Sequence, residues 1–215
     1  MKSIRLLTKN DADAYSELVR KSFGSAKGFM VNRNSLTWTQ TDDYYPTLGV
    51  FNNNRLVSMM RMEWILAEKE LVYKSQEDVS FNPFTYPIGY LAKAATEPGF
   101  DGTGLNTLLR YHCFKIFECW KVHWIVGFMV HGSPRVFTMQ EMGYSFHTKK
   151  NKWNGAFVSD RNVYFAFLNV AEKMDFAIAY LEKELAPIVN EYDVEFHHEE
   201  IPMKSKLNIL FPWQV

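Results

Sequence analysis

The sequence predicts an α+β fold laid down in α/β layers, a mixed central sheet flanked by helices with an extra helix at the C-terminus. Two near-continuous apolar runs, 88–96 (IGYLAKAAT) and 122–130 (VHWIVGFMV), predict central strands covered on both faces. Between them Leu105, Leu108, Leu109, His112, Cys113, Ile116, Phe117 and Trp120 recur at helical spacing and predict one long helix with a single buried face. A glycine-bearing turn, PGFDGTGLN, joins the first strand to that helix.

The remaining elements follow in order. Residues 3–7 predict a short strand. Thr8 with Asp11 resembles a capping box, ahead of a helical face made by Ala14, Tyr15, Leu18, Val19, Ser22 and Phe23. The stretch 24–43 is polar and irregular, reading as a loop with at most a short helix, and its Trp38 needs cover. Segments 45–51 and 56–66 predict a hairpin around Asn52-Asn53-Asn54, because asparagine tolerates the positive φ of a tight turn. The connection 67–87 is expected to include one more partly paired segment. After the central strands, Ser133-Pro134 opens a short helix that Gly143 ends, and 144–148 and 163–170 predict two further strands. A helical stripe runs over 172–192, with Pro187 expected to break it. The tail, LNILFPWQV, is expected to pack back. The organisation expected is one domain over 1–170 with an extension, 171–215, packed on it.

At 215 residues the chain can bury a sizeable core. Lys plus Arg and Asp plus Glu both number 24, so nothing in the charge points to nucleic acid or a membrane surface. Aromatics reach 16%, with 17 Phe and 10 Met, which leaves room for an apolar pocket or interface. Cys113 and Cys119 are too few for a disulfide scaffold or a zinc site, and no metal-ligand spacing is visible. No apolar run is long enough to span a bilayer, and the opening MKSIRLLTKND lacks a signal-peptide core. A cytoplasmic location is expected.

Gly99, Gly102 and Gly104 sit where a strand enters a helix, so backbone N–H groups can turn outward at the helix N-terminus, where donors and dipole suit a phosphate. With that loop the order of elements resembles the GNAT superfamily of N-acyltransferases over about residues 3–170. The family carries R-x-x-G-x-G/A after a strand ending in a small-apolar-Val-x-Pro run. Here Ala95-Thr96-Glu97-Pro98 precedes Asp101-Gly102-Thr103-Gly104-Leu105-Asn106. Asp101 stands where the family has Arg or Gln, and Asn106 where it has Gly or Ala. The family's second marker, a helix ending in Gly-Phe, matches as Ser133 to Gly143-Tyr144, with Met139 where a Tyr often stands.

The resemblance implies an enzyme that moves an acyl group from acyl-coenzyme A or acetyl-coenzyme A to a primary amine. It places the pyrophosphate on Asp101, Gly102, Thr103, Gly104, Leu105, Asn106 and Thr107, and the pantetheine arm against backbone groups of Ala95 and Thr96. Asp101 subtracts charge from such a site, and Met139 cannot give a proton to the leaving thiolate. Glu63, in MRMEW on a predicted strand, and His131, at the carboxyl end of the second central strand, are the candidate general bases. His112 and His123 fall in core-patterned elements, and His197-His198 read as a solvated tail.

Two other readings stay open. The N-acyl amino acid synthases and acyl-homoserine-lactone synthases, one GNAT branch, use long acyl chains as acyl-phosphopantetheine on an acyl carrier protein. They tend to show an Arg on the third strand and a basic residue on the fourth, which compare with Arg61 and Lys93 here. A tunnel for such a chain would draw on Phe29, Met30, Met59, Met60, Met62, Phe128 and Met129. The other reading is a degenerate GNAT fold that binds a ligand or partner without catalysis, in keeping with Asp101 and Met139.

Overall fold

The structure is a computed structural model, and it describes residues 2–24, 29–31, 36–149, 157–159 and 162–204. The strands are β1 (Lys2–Leu6), β2 (Phe29–Val31), β3 (Thr47–Asn52), β4 (Arg55–Ile65), β5 (Ile88–Thr96), β6 (Trp124–Val130), β7 (Ser145–Thr148), β8 (Phe157–Ser159), β9 (Val163–Asn169) and β10 (Asp193–Val194). The helices are α1 (Ala12–Gly24), α2 (Gln40–Tyr44), α3 (Glu68–Ser75), α4 (Leu105–Cys119), α5 (Arg135–Glu141) and α6 (Val170–Leu185). Eight strands make one mixed sheet in the order β10, β1, β3, β4, β5, β6, β9, β7, while β2 pairs with β8 apart from it.

The long hairpin shows how alternation builds the layers. Asn53 and Asn54 take φ of 50° and 62°, the two positive values that a tight two-residue turn requires. Along β4, Met60, Met62 and Trp64 enter the core under α4, whereas Met59 joins Tyr15 and Leu18 of α1 on the opposite face. On that second face Ile65 also packs with Leu71 of α3 and with Phe81 and Phe84 of the following loop. Leu108, Leu109, Ile116 and Phe117 of α4 are fully buried. Burial of each contributes about 1.5–3 kcal/mol, so α4 is held by packing along its whole length.

Several expectations are corrected by tertiary structure. The connection after β4 holds helix α3 rather than a paired segment; the Glu70 carboxylate accepts the Leu66 N–H at 3.0 Å, and Gln76 ends the helix in the left-handed region. One expectation holds: α6 stops at Leu185, just ahead of Pro187, which was expected to break it. His198 is not a solvated tail residue. β10 pairs in parallel with β1. Beyond it His198 Nε2 lies 2.9 Å from His112 Nδ1 with the rings stacked, and Trp120 Nε1 donates to the Ile201 carbonyl at 2.7 Å. The expected packing of LNILFPWQV lies outside the described residues, as do the side chains of Phe29 and Met30.

Candidate active site

β5 and β6 run parallel and pair at three positions only: Ile88 with Trp124, Gly89 with Ile125 and Tyr90 with Val126. β6 stays paired with β9 as far as Val130, so it is β5 that leaves. The cause lies on its other side. Ala92 faces Arg61 and Ala95 faces Met59, which leaves Lys93 and Ala94 together opposite Met60. Lys93 takes a φ of 43° in this bulge. Such an insertion bends the strand, and the result is a wedge between β5 and β6 that opens toward their carboxyl ends. Ala95 and Thr96, the expected pantetheine contacts, lie on the departing strand. Ala95 is buried, and the Ser58 hydroxyl bridges its carbonyl at 3.2 Å and the Thr96 hydroxyl at 2.9 Å.

The glycine turn follows β5 at the carboxyl end, where the wedge opens. Gly99, Gly102 and Gly104 have φ of 96°, 77° and 81°. A Cβ on Gly104 would come within 2.8 Å of Ile188 Cδ1, whereas Gly102 faces open space. Asp101, Gly102 and Thr103 are exposed, Gly104, Asn106 and Thr107 are half-buried, and Leu105 is buried as the anchor of the turn. Leu108 is the first α4 residue whose N–H reaches back to the loop, bonding the Gly104 carbonyl at 2.9 Å. The N–H groups ahead of it have no partner within the helix, as at any α-helix start.

Behind the bulge, on the α1 side of the sheet, a cluster of charges is buried. Asp42 Oδ1 accepts from the Tyr15 hydroxyl at 2.6 Å and from Arg61 Nη1 at 2.7 Å. Arg61 also donates to Glu63, whose second oxygen pairs with Lys74. Lys93 Nζ donates to Tyr15 Oη at 2.8 Å and lies 3.6 Å from Asp42 Oδ2. Against the cost of burial, Arg61 and then Lys74 hold Glu63 down to about 2. Lys93 is pushed down to about 8, by burial first and by Arg61 second, with Asp42 and Glu63 opposing.

The expected site residues are therefore brought together only in part. Glu63 is buried in two ion pairs, neither a solvent-facing strand position nor placed to take up a proton. His131 is exposed just past β6, its N–H bonded to the Asn162 carbonyl and its ring 5.0 Å from Tyr164, at the rim of the wedge. Met139 is buried in the core under α4. The methionine tunnel is divided by strand alternation: Met60, Met62 and Met129 enter the α4-side core, Met59 the α1 side and Phe128 the α3 side. The sequence reading passed over Tyr15, Asp42 and Lys74. Only Asp42 carried a local sign, a T-x-x-D cap in which its carboxylate accepts the Thr39 N–H at 2.9 Å.

No protein-family model and no curated protein matches the sequence. Solved structures do match. FeeM, an N-acyl amino acid synthase from uncultured soil microbes, aligns with a TM-score of 0.57 at 12% identity, over 82% of this chain and 97% of its own. A putative acetyltransferase from Salmonella typhimurium, solved with its cofactor acetyl-CoA, aligns at 0.54 and 14% over 79% and 94%. The ribosomal-protein-alanine N-acetyltransferase from Brucella melitensis aligns at 0.54 and 14% over 77% and 98%. The chain has the fold of the GNAT acyltransferases.

Proposed function

We propose that this chain is an N-acyltransferase that moves an acyl group from an acyl-coenzyme A thioester to a primary amine. The observation that carries the reading is the wedge where β5 leaves β6 after Tyr90 and opens onto the N-terminus of α4. Strand edges without a neighbour offer N–H and C=O groups to the amide-bearing pantetheine arm, and a helix N-terminus suits its phosphate. The likeness in fold to the Salmonella protein with acetyl-CoA supports this placement. A cytoplasmic location goes with it.

The amine attacks as the free base: a C–N bond forms at the thioester carbon, the C–S bond breaks, and the proton shed by nitrogen ends on the thiolate. In this reading backbone N–H groups at the β5 bulge receive the carbonyl oxygen as its charge grows. Lys93, at the bulge and lowered to about 8, is our candidate for the group that accepts the amine proton and returns it. The rate should then climb to a plateau above about pH 8, and Lys93→Met should abolish that limb. If His131→Ala alone abolishes the limb, the role passes to His131.

The test is thermal unfolding with coenzyme A and acetyl-coenzyme A, followed by thiol release against a panel of primary amines. A ligand at a hundredfold excess over its Kd adds about 2.7 kcal/mol. Neither stabilisation nor thiol release would overturn the reading and leave a ligand-binding module.

A second reading takes a long acyl chain from phosphopantetheine on an acyl carrier protein, with an amino acid as acceptor. It is supported by the likeness to FeeM and by Asp101, which disfavours a multiply charged donor. Turnover of acetyl and dodecanoyl thioesters, each on coenzyme A and on the carrier, separates the two.

A further inference from the structure

Beyond α6 the chain turns back and crosses α4 as a strap, 186–204. Ile188 stands against the glycine turn, where a Cβ on Gly104 would lie 2.8 Å from its Cδ1. β10 then pairs with β1, and the Glu195 N–H donates to the Ile4 carbonyl at 2.9 Å. Phe196 and His198 follow along α4, and the carbonyl of the buried Ile201 takes the Trp120 indole N–H just past the end of that helix. At Lys204 the strap reaches α2, where the Tyr44 hydroxyl donates to the Lys204 carbonyl at 3.0 Å. It therefore runs from the glycine turn to the helix that supplies Asp42.

The polar tie at the middle of this course is a pair of imidazoles. His112 is 4% exposed and His198 is half-buried. His112 Nδ1 and His198 Nε2 lie 2.9 Å apart, and Phe196 meets both rings edge-on. The other nitrogen of His112, Nε2, is buried without a partner among the described residues. That asymmetry decides what an added proton does. The neutral arrangement that leaves only a lone pair unmet has His112 Nδ1–H donating to His198. Protonating His198 puts a hydrogen on the accepting nitrogen. His112 must then carry its own hydrogen on Nε2, a buried donor with no acceptor. Protonating both rings sets like charges against each other.

Each proton is therefore resisted while the strap is docked. His112 is pushed down to about 4, by burial first and by His198 second. His198 is lowered by burial and then by Lys115, with His197 adding to the fall and Glu199 and Glu118 opposing it. Tyr111 adjoins His112 and donates to Glu182 of α6 at 3.3 Å, and Cys119 faces Glu199.

We propose that the His112–His198 pair is an acid-sensitive latch, which holds 193–204 across α4 at neutral pH and releases them when the imidazoles take up protons. Once the strap lifts, both rings meet water and return toward the ordinary histidine value of 6.5, so the open form binds more protons than the docked one. Docking is complete above 6.5 and weakens as pH falls toward 4, by up to about tenfold per pH unit for each proton taken up. The latch lies outside the thioester reading and stands whatever the site binds.

Amide hydrogen exchange of the whole chain, corrected for the intrinsic rate at each pH, reads the strap apart from the core. Between about pH 7 and about pH 4.5 the protection of the Glu195 amide should fall about tenfold or more, while amides of α4, β5 and β6 keep theirs. His198→Gln still reaches His112 but does not titrate, so it should make the fall shallower, and adding His112→Gln should abolish it. His198 is half-buried, so its single variant gives the answer even where the double variant melts early. Tyr44→Phe should loosen the strap by the same factor at every pH and leave the dependence intact. The latch is overturned if the wild-type strap keeps its protection at the acid end, if strap and α4 lose theirs together, or if His198→Gln falls with pH as the wild type does.

Discussion

Glu63 shows how far a residue's chemistry depends on what surrounds it. In sequence it is an acid on a strand, between Met62 and Trp64. In the fold it is 1% exposed, and Arg61 and Lys74 keep it ionised down to about 2. Since the folded value is depressed, its contribution to stability is complete above the ordinary carboxylate value of 4.5 and is lost as pH falls toward 2. We therefore expect Glu63→Gln to be destabilised at pH 7, with the deficit shrinking steadily between these limits. Urea unfolding across that range measures it. A deficit that stays constant with pH would mean that packing, not charge, is what Gln fails to replace. Arg61, two positions away, shares the strand face with Glu63, but Lys74 comes from α3 and the burial of the group comes from the fold, so the sequence alone did not foretell it.

At the level of elements, the long and strongly patterned ones were legible. β5 falls where the apolar run predicts it, and α4 follows its stripe to within a residue of the expected end, because many side chains report one period. α3 was missed because it is short and buries only Leu71 among its apolar side chains, so its helix is decided by its caps and neighbours. The glycine turn was legible as a turn, yet the distinct task of each glycine was not. Gly104 needs its positive φ and also stands against Ile188, which arrives from beyond α6. Gly102 needs the φ alone. Gly104→Ala should thus cost about 1–3 kcal/mol from backbone strain plus a contact term, and Gly102→Ala the strain alone. Ile188→Ala should recover the difference in a double-mutant cycle. If both glycine variants lose equal stability, Ile188 is not what holds the C-terminal segment against the turn.

Across the whole molecule, the site divides by sequence distance. The side proposed for the phosphate lies around one continuous stretch, from β5 to α4, whose strand, glycine turn and helix were legible. The charge cluster behind the wedge takes Tyr15 from α1, Asp42 from α2, Arg61 and Glu63 from β4, Lys74 from α3 and Lys93 from β5. Its members are ordinary polar residues until the sheet forms. This cluster ties the helices of one face to the strand that bends away, and Arg61 is its centre, with a side chain 8% exposed between Asp42 and Glu63. Replacing Arg61 by Met fills the space with a flexible apolar chain but leaves two carboxylates buried with less to oppose them. Breaking a buried pair from one side costs about 3–5 kcal/mol, so Arg61→Met should lower the urea midpoint steeply. Adding Asp42→Asn to it should restore part of the loss, because one of the stranded charges is then gone. Lys93 would respond in the same experiment: it is held down in part by the Arg61 charge, so its titration should move up in Arg61→Met. Were Arg61→Met to lose less than about 1 kcal/mol, the charges would be sharing solvent rather than one another. The bulge in β5 would then owe nothing to the cluster behind it.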